Sequence, residues 1–341
     1  MNHSGRDNSP ASEVELVELL TSVLGDPGGR IRLPIGDDAA VISVKRGKDL
    51  IFTTDSYVEG VHFCADWGNY KEIGYRSMAG ALSDVAAMSG QPVAALVSLG
   101  LPFIPEARLL ESLYSGFDRC ARQFGCSIAG GETVSTNADL MITIAVIGEV
   151  KKDLALTRSG AAPGDIICVT GKLGRNAAAL RCLQSSSGNE PVVSRMRNVF
   201  FGPRPRISES EYLSRKMDVS SMIDLSDGLS TDLGHIAARS NVGAVLYEEA
   251  LPVAEEALEV SKLMGEGTLD YALYGGEDYE LLFTIRGGMN EAIKKEFSNK
   301  FGIALTVVGE VIESGLFIEG PNKVRTALVP GGFDHLKRRS S

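Results

Sequence analysis

The sequence predicts a two-lobed α/β protein with mixed sheets, in which some of the strands pair antiparallel. Its 341 residues exceed the size at which one hydrophobic core normally stops growing. Helical and β-rich runs alternate through both halves, and several β-rich runs adjoin one another near the C-terminal end. Two domains are therefore expected, with one large domain as the alternative.

The chain opens with a polar segment, residues 1–12, which predicts a disordered lead-in. This segment lacks the basic-then-apolar plan of a signal peptide, and no apolar run approaches the roughly 20 residues that span a bilayer. We therefore expect a cytoplasmic protein. The excess of 44 acidic over 34 basic residues disfavours nucleic acid as a partner, and five cysteines without a C-x-x-C spacing are expected to be reduced packing residues.

The first domain is expected over residues 13–150. Helices are predicted where apolar residues recur at helical spacing, and strands where β-rich runs end in polar or glycine-rich positions. One β-rich run becomes polar at Thr53, Thr54 and Asp55, which is typical of a strand that delivers polar groups at its end. The predicted elements are helices over 14–24, 70–90 and 106–125, strands over 49–63, 92–102 and 139–150, and a glycine-rich turn at SIAGGETV, 127–134.

The second domain is expected over residues 151–341, after a stretch at 151–165 that is polar and contains Gly and Pro. The same alternation follows, with a Ser/Gly/Asn loop after the first helix. The predicted elements are strands over 165–171, 220–228, 242–253, 279–285, 304–311 and 315–320, and helices over 175–184, 231–240, 254–264 and 290–300.

Two short patterns occur once in each half of the chain. Ser83–Asp84 is followed by Gly130–Glu132, and Ser226–Asp227 is followed by Gly275–Glu277, and the two acids of each half are 48 and 50 positions apart. Short patterns also recur by chance, so the repetition is weak support for pseudo-symmetry between the halves.

A set of acidic residues lies at the edges of apolar segments, where solvation is poor. A carboxylate in such a place needs a partner, and Lys and Arg are scarce beside these segments. Carboxylate and hydroxyl oxygens suit hard cations, magnesium in particular, whereas the four histidines and the cysteines form no zinc set. The alternative is that these acids cap helices or stabilise turns. The set comprises Asp37, Asp38, Asp55, Asp84, Glu132, Asp224, Asp227, Glu277 and Asp278.

Glycine pairs next to two of these acids would let the backbone approach a phosphate closely. They are Gly130–Gly131 and Gly275–Gly276. The Walker A pattern and the protein-kinase H-R-D and D-F-G patterns do not occur in the sequence, which disfavours the familiar nucleotide-binding folds.

Seven motifs occur along the chain in this order: IGDDAAV, TTDSYVEGVHF, LSDVAAMSG, AGGET, LTRSGAAPGD, IDLSDGLSTDLGHIA and YGGEDYELLFT. They resemble the successive motifs of the thiamine-monophosphate kinase family, in the aminoimidazole ribonucleotide synthetase-like (PurM-like) superfamily. The resemblance covers nearly the whole chain from about residue 30, and VEGVHF together with GGEDYEL is its most specific part.

The resemblance implies a PurM-like fold, ATP as co-substrate, several Mg²⁺ ions, and phosphorylation of thiamine phosphate to thiamine diphosphate. Because the acceptor is already a phosphate, no general base and hence no catalytic side chain is predicted. His62 and Glu277 match substrate-contacting positions, although His62 alone would be interpreted as structural. The implied metal positions are Asp38, Thr53, Thr54, Asp55, Asp84, Glu132, Asp224 and Asp227, and the implied ATP contacts are Tyr114, Gly131, Glu132, Arg158 and Ser226.

The sequence departs from the family pattern at two places. The usual GGD is GGE, so Glu132 keeps the charge but adds a methylene, and Pro330 stands where some members place an aromatic residue against the substrate ring. The superfamily also implies a homodimer formed through strands of the first half. The open alternatives are another synthetase of the superfamily, acting on aminoimidazole ribonucleotide precursors or on selenophosphate, and a non-catalytic protein that binds divalent cations.

Overall fold

The structure is a computed structural model, and it describes residues 19, 21–26, 29–33, 41–102, 106–185 and 188–332. It divides into two compact units. Unit 1 takes the described residues of Met1–Val85 and Gln91–Asp153, and unit 2 takes Ala86–Gly90 and the described residues of Leu154–Ser341. Most of the predicted helix over 14–24, the lead-in at 1–12 and the IGDDAAV motif up to Ala40 lie outside the described residues. No helix in the described ranges has the length and apolarity to cross a membrane.

Unit 1 contains a four-stranded sheet with the order β3-β6-β4-β5, in which only the β4–β5 pair is parallel. Two short strands, β1 (Ile31–Leu33) and β2 (Val41–Ile42), pair separately. The longer elements are β3 (Lys48–Val58), α1 (Tyr70–Ala87), β4 (Gln91–Leu101), α2 (Ala107–Gln123), β5 (Ser127–Ser135) and β6 (Met141–Lys151), with a 3₁₀ turn at Ala65–Trp67.

The two helices of unit 1 approach each other closely through reciprocal glycines. A Cβ added to Gly74 on α1 would lie 2.2 Å from the Leu113 carbonyl oxygen, and one added to Gly116 on α2 would lie 2.1 Å from that of Lys71. These separations are far below van der Waals contact, so only glycine allows this crossing.

The sheet of unit 1 has one covered and one open face. Along β3, Ile51 and Tyr57 are buried, whereas Leu50 and Phe52 are 40% and 68% exposed. Strand residues alternate between faces, so odd-numbered β3 side chains lie on the covered face and even-numbered ones on the open face. Thr53 on β3 contacts Asp84 on α1, which identifies the covered face as the one on which this helix packs.

Unit 2 contains a seven-stranded sheet with the order β13-β12-β9-β11-β7-β10-β8, which is antiparallel except between β12 and β9. Its core is aliphatic, with Val169, Ile223 and Leu282 on three neighbouring strands. The strands are β7 (Ile166–Thr170), β8 (Val219–Asp224), β9 (Gly243–Tyr247), β10 (Leu281–Ile285), β11 (Leu305–Ile312), β12 (Leu316–Glu319) and β13 (Arg325–Ala327). The helices are α3 (Arg175–Ser185), α4 (Glu190–Phe201), α5 (Ile207–Lys216), α6 (Leu229–Ser240), α7 (Glu255–Met264), α8 (Thr268–Tyr274) and α9 (Glu291–Phe301), with a 3₁₀ turn at Glu248–Ala250.

The mixed α/β class is confirmed, and several element predictions need correction. The predicted turn at 127–134 is strand β5, because the backbone of Gly131 lies so near β4 that a Cβ would sit 1.9 Å from the Val97 carbonyl oxygen. The predicted strand over 242–253 ends at Tyr247. Helices α4, α5 and α8 were not predicted, although Asn189 gives a start signal for α4: its side chain accepts the Val192 N–H at 3.2 Å.

Candidate functional site

Three predicted metal-binding residues meet on the covered face of unit 1. Thr53 and Asp55 lie two residues apart on β3, and therefore on the same face, roughly 7 Å apart along the strand. The hydroxyl of Thr53 donates a hydrogen bond to Oδ2 of Asp84, which lies in the last turn of α1. Asp55 and Asp84 are both half-buried. The strand and the helix thus place one hydroxyl and two carboxylates on one side of the sheet.

The other two predicted metal residues in the described part of unit 1 lie on the opposite, open face. Thr54 alternates with Thr53 along β3, and Glu132 pairs with Ser98 across the β4–β5 ladder. Ser98 in turn pairs with Thr143, whose hydroxyl is hydrogen-bonded to that of Ser56 at 2.9 Å. Glu132 therefore ends a polar row that crosses an otherwise mainly apolar face. The structure brings Thr53, Asp55 and Asp84 together, and it separates them from Thr54 and Glu132.

His62 follows β3 and is half-buried against it. Its Nδ1 accepts the N–H of Val58 at 3.0 Å, and its ring contacts that of Tyr57 edge-on at 5.6 Å between centroids. Because Nδ1 accepts a hydrogen bond, the neutral ring carries its proton on Nε2. The imidazole therefore presents an N–H donor on the side away from the strand.

Two predicted ATP contacts in unit 1 occupy unexpected settings. Tyr114 on α2 is 4% exposed, packs edge-on against Phe117, and has its pKa raised well above the ordinary value by burial. Gly131 lies within β5 rather than in a loop, on the covered face beside Val97. Gly130–Gly131 therefore lie in a strand and not in the predicted turn, and the contact of Gly131 with ATP stays a prediction.

The predicted residues of unit 2 gather around the turn that joins β8 to α6. Asp224 ends β8 and is 2% exposed, and Ser226 and Asp227 follow in the turn. The segment before β10 packs onto this turn: the N–H of Glu277 donates to the Ser226 carbonyl at 2.8 Å, and a Cβ on Gly276 would lie 2.4 Å from that oxygen. Glu277 is held at φ +64°, a left-handed conformation that is uncommon for a non-glycine residue.

Asp232 and His235, which the sequence reasoning missed, belong to the same cluster. One ligand atom from each of Asp227, Asp232 and His235 lies within 4.8 Å of the others. Asp232 is 1% exposed, and burial, together with the charges of Asp224 and Asp227, raises the pKa of its carboxyl well above the ordinary value. The available signal was the Asp-x-x-His spacing, which places two side chains on one face of a helix.

The remaining predicted residues lie outside these two groups of acids or outside the described residues. Arg158 is exposed in the segment before β7, and its carbonyl accepts a hydrogen bond from the Ser240 hydroxyl at 3.3 Å. Pro330 packs on α6, where a Cβ at Gly234 would lie 3.5 Å from its ring. Asp37, Asp38 and Phe333 lie outside the described residues.

Asp278 is a buried carboxylate with a clear structural partner. Its two oxygens accept the backbone N–H groups of Gly174 at 2.6 Å and Asn176 at 3.0 Å, where α3 begins. Burial nevertheless raises its pKa from 3.8 to about 7. The alternative to metal binding is that some of these acids cap helices. Asp278 does so: it caps the start of α3, a helix that lies far from it in sequence.

Family models match both parts of the chain. The model of the AIR synthase related protein N-terminal domain matches residues 36–150, and that of the C-terminal domain matches residues 162–319. Thiamine-monophosphate kinase of Bacillus subtilis (strain 168) is 34% identical over 310 residues, which are 89% of this chain and 93% of the relative. The enzyme of the same name from Escherichia coli (strain K12) is 35% identical over 314 residues, 89% and 92% of the two chains. The chain belongs to the thiamine-monophosphate kinase family.

Solved structures agree with this membership. Thiamine-monophosphate kinase from Stenotrophomonas maltophilia K279a has a TM-score of 0.79 at 32% identity and covers 90% of this chain and 95% of its own. AaThiL complexed with AMPPCP and TMP has a TM-score of 0.75 at 32% identity, covering 95% and 97%. The hydrogenase maturation protein HypE of E. coli, at 22% identity and a TM-score of 0.78, shares the fold. The predicted family, PurM-like fold class and assignment as a kinase of the thiamine-monophosphate kinase family are confirmed.

Proposed function

We propose that this chain transfers the γ-phosphoryl group of ATP to thiamine phosphate, giving ADP and thiamine diphosphate. The observation that carries this proposal is the likeness to AaThiL complexed with AMPPCP and TMP, an ATP analogue and the phosphate acceptor, over 95% of this chain. The ordered family motifs and the curated relatives support the same reaction. The fold shared with HypE is neutral between the activities of the superfamily.

The donor sets of both units fit magnesium. Unit 1 offers the hydroxyl of Thr53 with the carboxylates of Asp55 and Asp84, and unit 2 offers Asp224 and Asp227 at one turn. Hard oxygen donors of this kind suit Mg²⁺, which keeps its remaining positions for water and phosphate. When bound, the ions neutralise charge on the transferred phosphoryl group. Asp38, Thr54 and Glu132 stay in the proposed metal set, the last two on the open face of the sheet.

The protein's own groups would act by positioning the reactants. The acceptor is a phosphate monoester, so its oxygen needs no general base at neutral pH. We assign His62 to the acceptor phosphate, since its Nε2 carries the proton of the neutral ring, and Glu277 to the thiamine phosphate substrate. The proposed ATP contacts are Tyr114, Gly131, Glu132, Arg158 and Ser226, of which Tyr114 is buried.

We also propose that the chain forms a homodimer through the open face of the unit 1 sheet. Large apolar side chains stand exposed there on three neighbouring strands, including Phe52 (68%), Leu96 (45%) and Met141 (42%). Uncovered apolar surface of this kind marks an interaction site, and a second copy would bury it. Light scattering after size-exclusion chromatography tests this: the mass of a monomer at micromolar concentration contradicts it.

A direct assay tests the proposed reaction. The purified full chain is incubated with ATP, Mg²⁺ and either thiamine phosphate or formylglycinamidine ribonucleotide, and thiamine diphosphate and ADP are quantified. We expect thiamine diphosphate to form in amounts equal to ADP, and no turnover with the ribonucleotide. ADP release with the ribonucleotide alone would favour the synthetase alternative. Calorimetry with a non-hydrolysable ATP analogue, with and without Mg²⁺, tests the other alternative. Metal binding without nucleotide binding would favour a non-catalytic cation-binding protein.

A further inference from the structure

One unusual buried oxygen is Oδ1 of Asp232 at the start of α6. The side chain is 1% exposed, and Oδ1 has no hydrogen-bond partner within the described part of the chain. The other oxygen, Oδ2, accepts the N–H groups of Asp227 at 3.2 Å and Gly228 at 3.1 Å, and so caps the helix. Capping therefore accounts for one oxygen of this carboxylate and leaves the other without a role.

Within the described residues, no group donates a hydrogen bond to Oδ1. The desolvated side chain also lies beside the carboxylates of Asp224 and Asp227. A bound cation would coordinate the orphan oxygen and offset the charge of the neighbouring carboxylates.

The third member of the cluster is a nitrogen donor. His235 lies one helical turn after Asp232, so the two side chains lie on the same face of α6 and His235 is exposed at its outer edge. Carboxylate and imidazole ligands three residues apart on a helix are a recurrent arrangement for transition metals. No two of the three ligand atoms are more than 4.8 Å apart, which is a small side-chain movement from the roughly 3–4 Å between ligands of one ion.

We propose that Asp227, Asp232 and His235 form a binding site for one divalent transition-metal ion, with Mn²⁺ as the probe, that exists without ATP. Asp227 is shared with the proposed magnesium set, whereas Asp232 and His235 are additional ligands. An O,O,N donor set favours Mn²⁺ or Zn²⁺ over Mg²⁺, which strongly prefers oxygen. The site gives unit 2 a metal selectivity that the all-oxygen group of unit 1 lacks.

The test uses the full chain without a histidine tag and without ATP or thiamine phosphate. Mn²⁺ and Mg²⁺ are titrated separately by calorimetry. His235→Ala is expected to weaken Mn²⁺ binding by about tenfold or more and Mg²⁺ binding by less than about twofold, because the imidazole matters chiefly to the softer ion. Arg239→Ala, an exposed change one turn further along α6, is the matched control and keeps wild-type affinities.

A spectroscopic readout separates a ligand from a merely structural residue. With one equivalent of Mn²⁺, electron spin echo modulation from an imidazole ¹⁴N is expected in the wild type and in Arg239→Ala, and it disappears in His235→Ala. Asp232→Asn keeps an oxygen that can accept the capping N–H groups but loses the charge, and is expected to weaken binding of both ions. Asp270→Asn, an acid in the first turn of the neighbouring helix α8, is its control.

Two results would overturn the site: Mn²⁺ affinity unchanged in His235→Ala, or wild-type protein that binds Mn²⁺ no more tightly than Mg²⁺ and shows no nitrogen modulation. Because ATP and thiamine phosphate are absent, these outcomes are independent of the kinase assay. The proposed reaction can therefore fail while the site stands, and the reverse also holds.

Discussion

The two units carry the same short patterns in different local structures. In unit 1, Asp84 lies inside helix α1 and Glu132 inside strand β5. In unit 2, Asp227 lies in the turn before α6, and Glu277 lies in an irregular segment with φ +64°. Regular elements distribute neighbouring residues over two faces, whereas turns built on glycine bring them to one place. The repeated Ser-Asp and Gly-Gly-Glu patterns therefore do not imply that the two units contain equivalent binding sites.

This difference changes what each acid can do. On the covered face of unit 1, Asp84 has the Thr53 hydroxyl as a hydrogen-bond donor, and Asp55 lies on the same side. At the turn of unit 2, the carboxylates of Asp224, Asp227 and Asp232 face one another, and their mutual repulsion is part of why the pKa of Asp232 is raised. Unit 1 thus arranges a mixed hydroxyl–carboxylate set, and unit 2 concentrates negative charge.

The largest expected effect is that of Asp84→Asn. The side chain keeps its shape and an oxygen for the Thr53 hydroxyl, but it loses the charge that would hold a cation. We expect thiamine diphosphate formation to fall by about a hundredfold or more, with an unchanged circular dichroism spectrum and melting temperature. Asp55→Asn is expected to behave alike.

The matched control for Asp84→Asn is Asp118→Asn. Asp118 forms an ion pair with Arg122 on α2 at 2.8 Å, at the surface of the same unit. Surface pairs of this kind contribute little to stability, so activity and melting should both stay near wild type. Near-normal turnover of Asp84→Asn or Asp55→Asn at saturating Mg²⁺ would rule out a metal cluster on the covered face.

The second prediction concerns Asp278 and the pH dependence of stability in unit 2. Its pKa is about 7 in the folded chain and 3.8 ordinarily, because burial disfavours the charge. Between about pH 4 and pH 7 the unfolded chain therefore releases a proton that the folded chain retains. The free energy of unfolding should fall as pH rises through this window, by on the order of 1–4 kcal/mol in total, and level off above it.

Asp278→Asn removes this dependence because the amide does not titrate. Asn offers one acceptor oxygen for two N–H groups, so it lowers stability at every pH, and the informative quantity is the slope. Urea unfolding at several pH values should give a flatter curve for Asp278→Asn than for wild type, with Asp270→Asn keeping the wild-type slope. Parallel curves for all three proteins would show that Asp278 is ionised in the folded chain throughout.

Sequence reasoning proposed which residues form the candidate site, but it did not predict how they are arranged. Asp84, Asp224 and Asp227 were proposed because a carboxylate in apolar sequence surroundings needs a partner. The structure places each of them beside a polar group or another acid. Sequence reasoning could not assign faces, because whether Gly131 lies in a turn or a strand depends on how closely β4 approaches. It also missed Asp232, since a polar residue in the first turn of a helix is ordinarily only a cap. Burial, which tertiary packing decides, is what makes its second oxygen unusual.

The smallest predicted effect separates the two faces of the unit 1 sheet. Thr53→Val and Thr54→Val remove one hydroxyl each from adjacent positions of β3 and suit a strand equally well. Thr53 donates to Asp84, so its loss disturbs the carboxylate on the covered face, whereas Thr54 lies on the open face. We expect Thr53→Val to lower kcat/KM for ATP by about tenfold and to raise the Mg²⁺ concentration needed for half-maximal activity. Thr54→Val should cost less if the covered face holds the ions that activity depends on most. A larger loss for Thr54→Val would assign that role to the open face, on which Glu132 also lies.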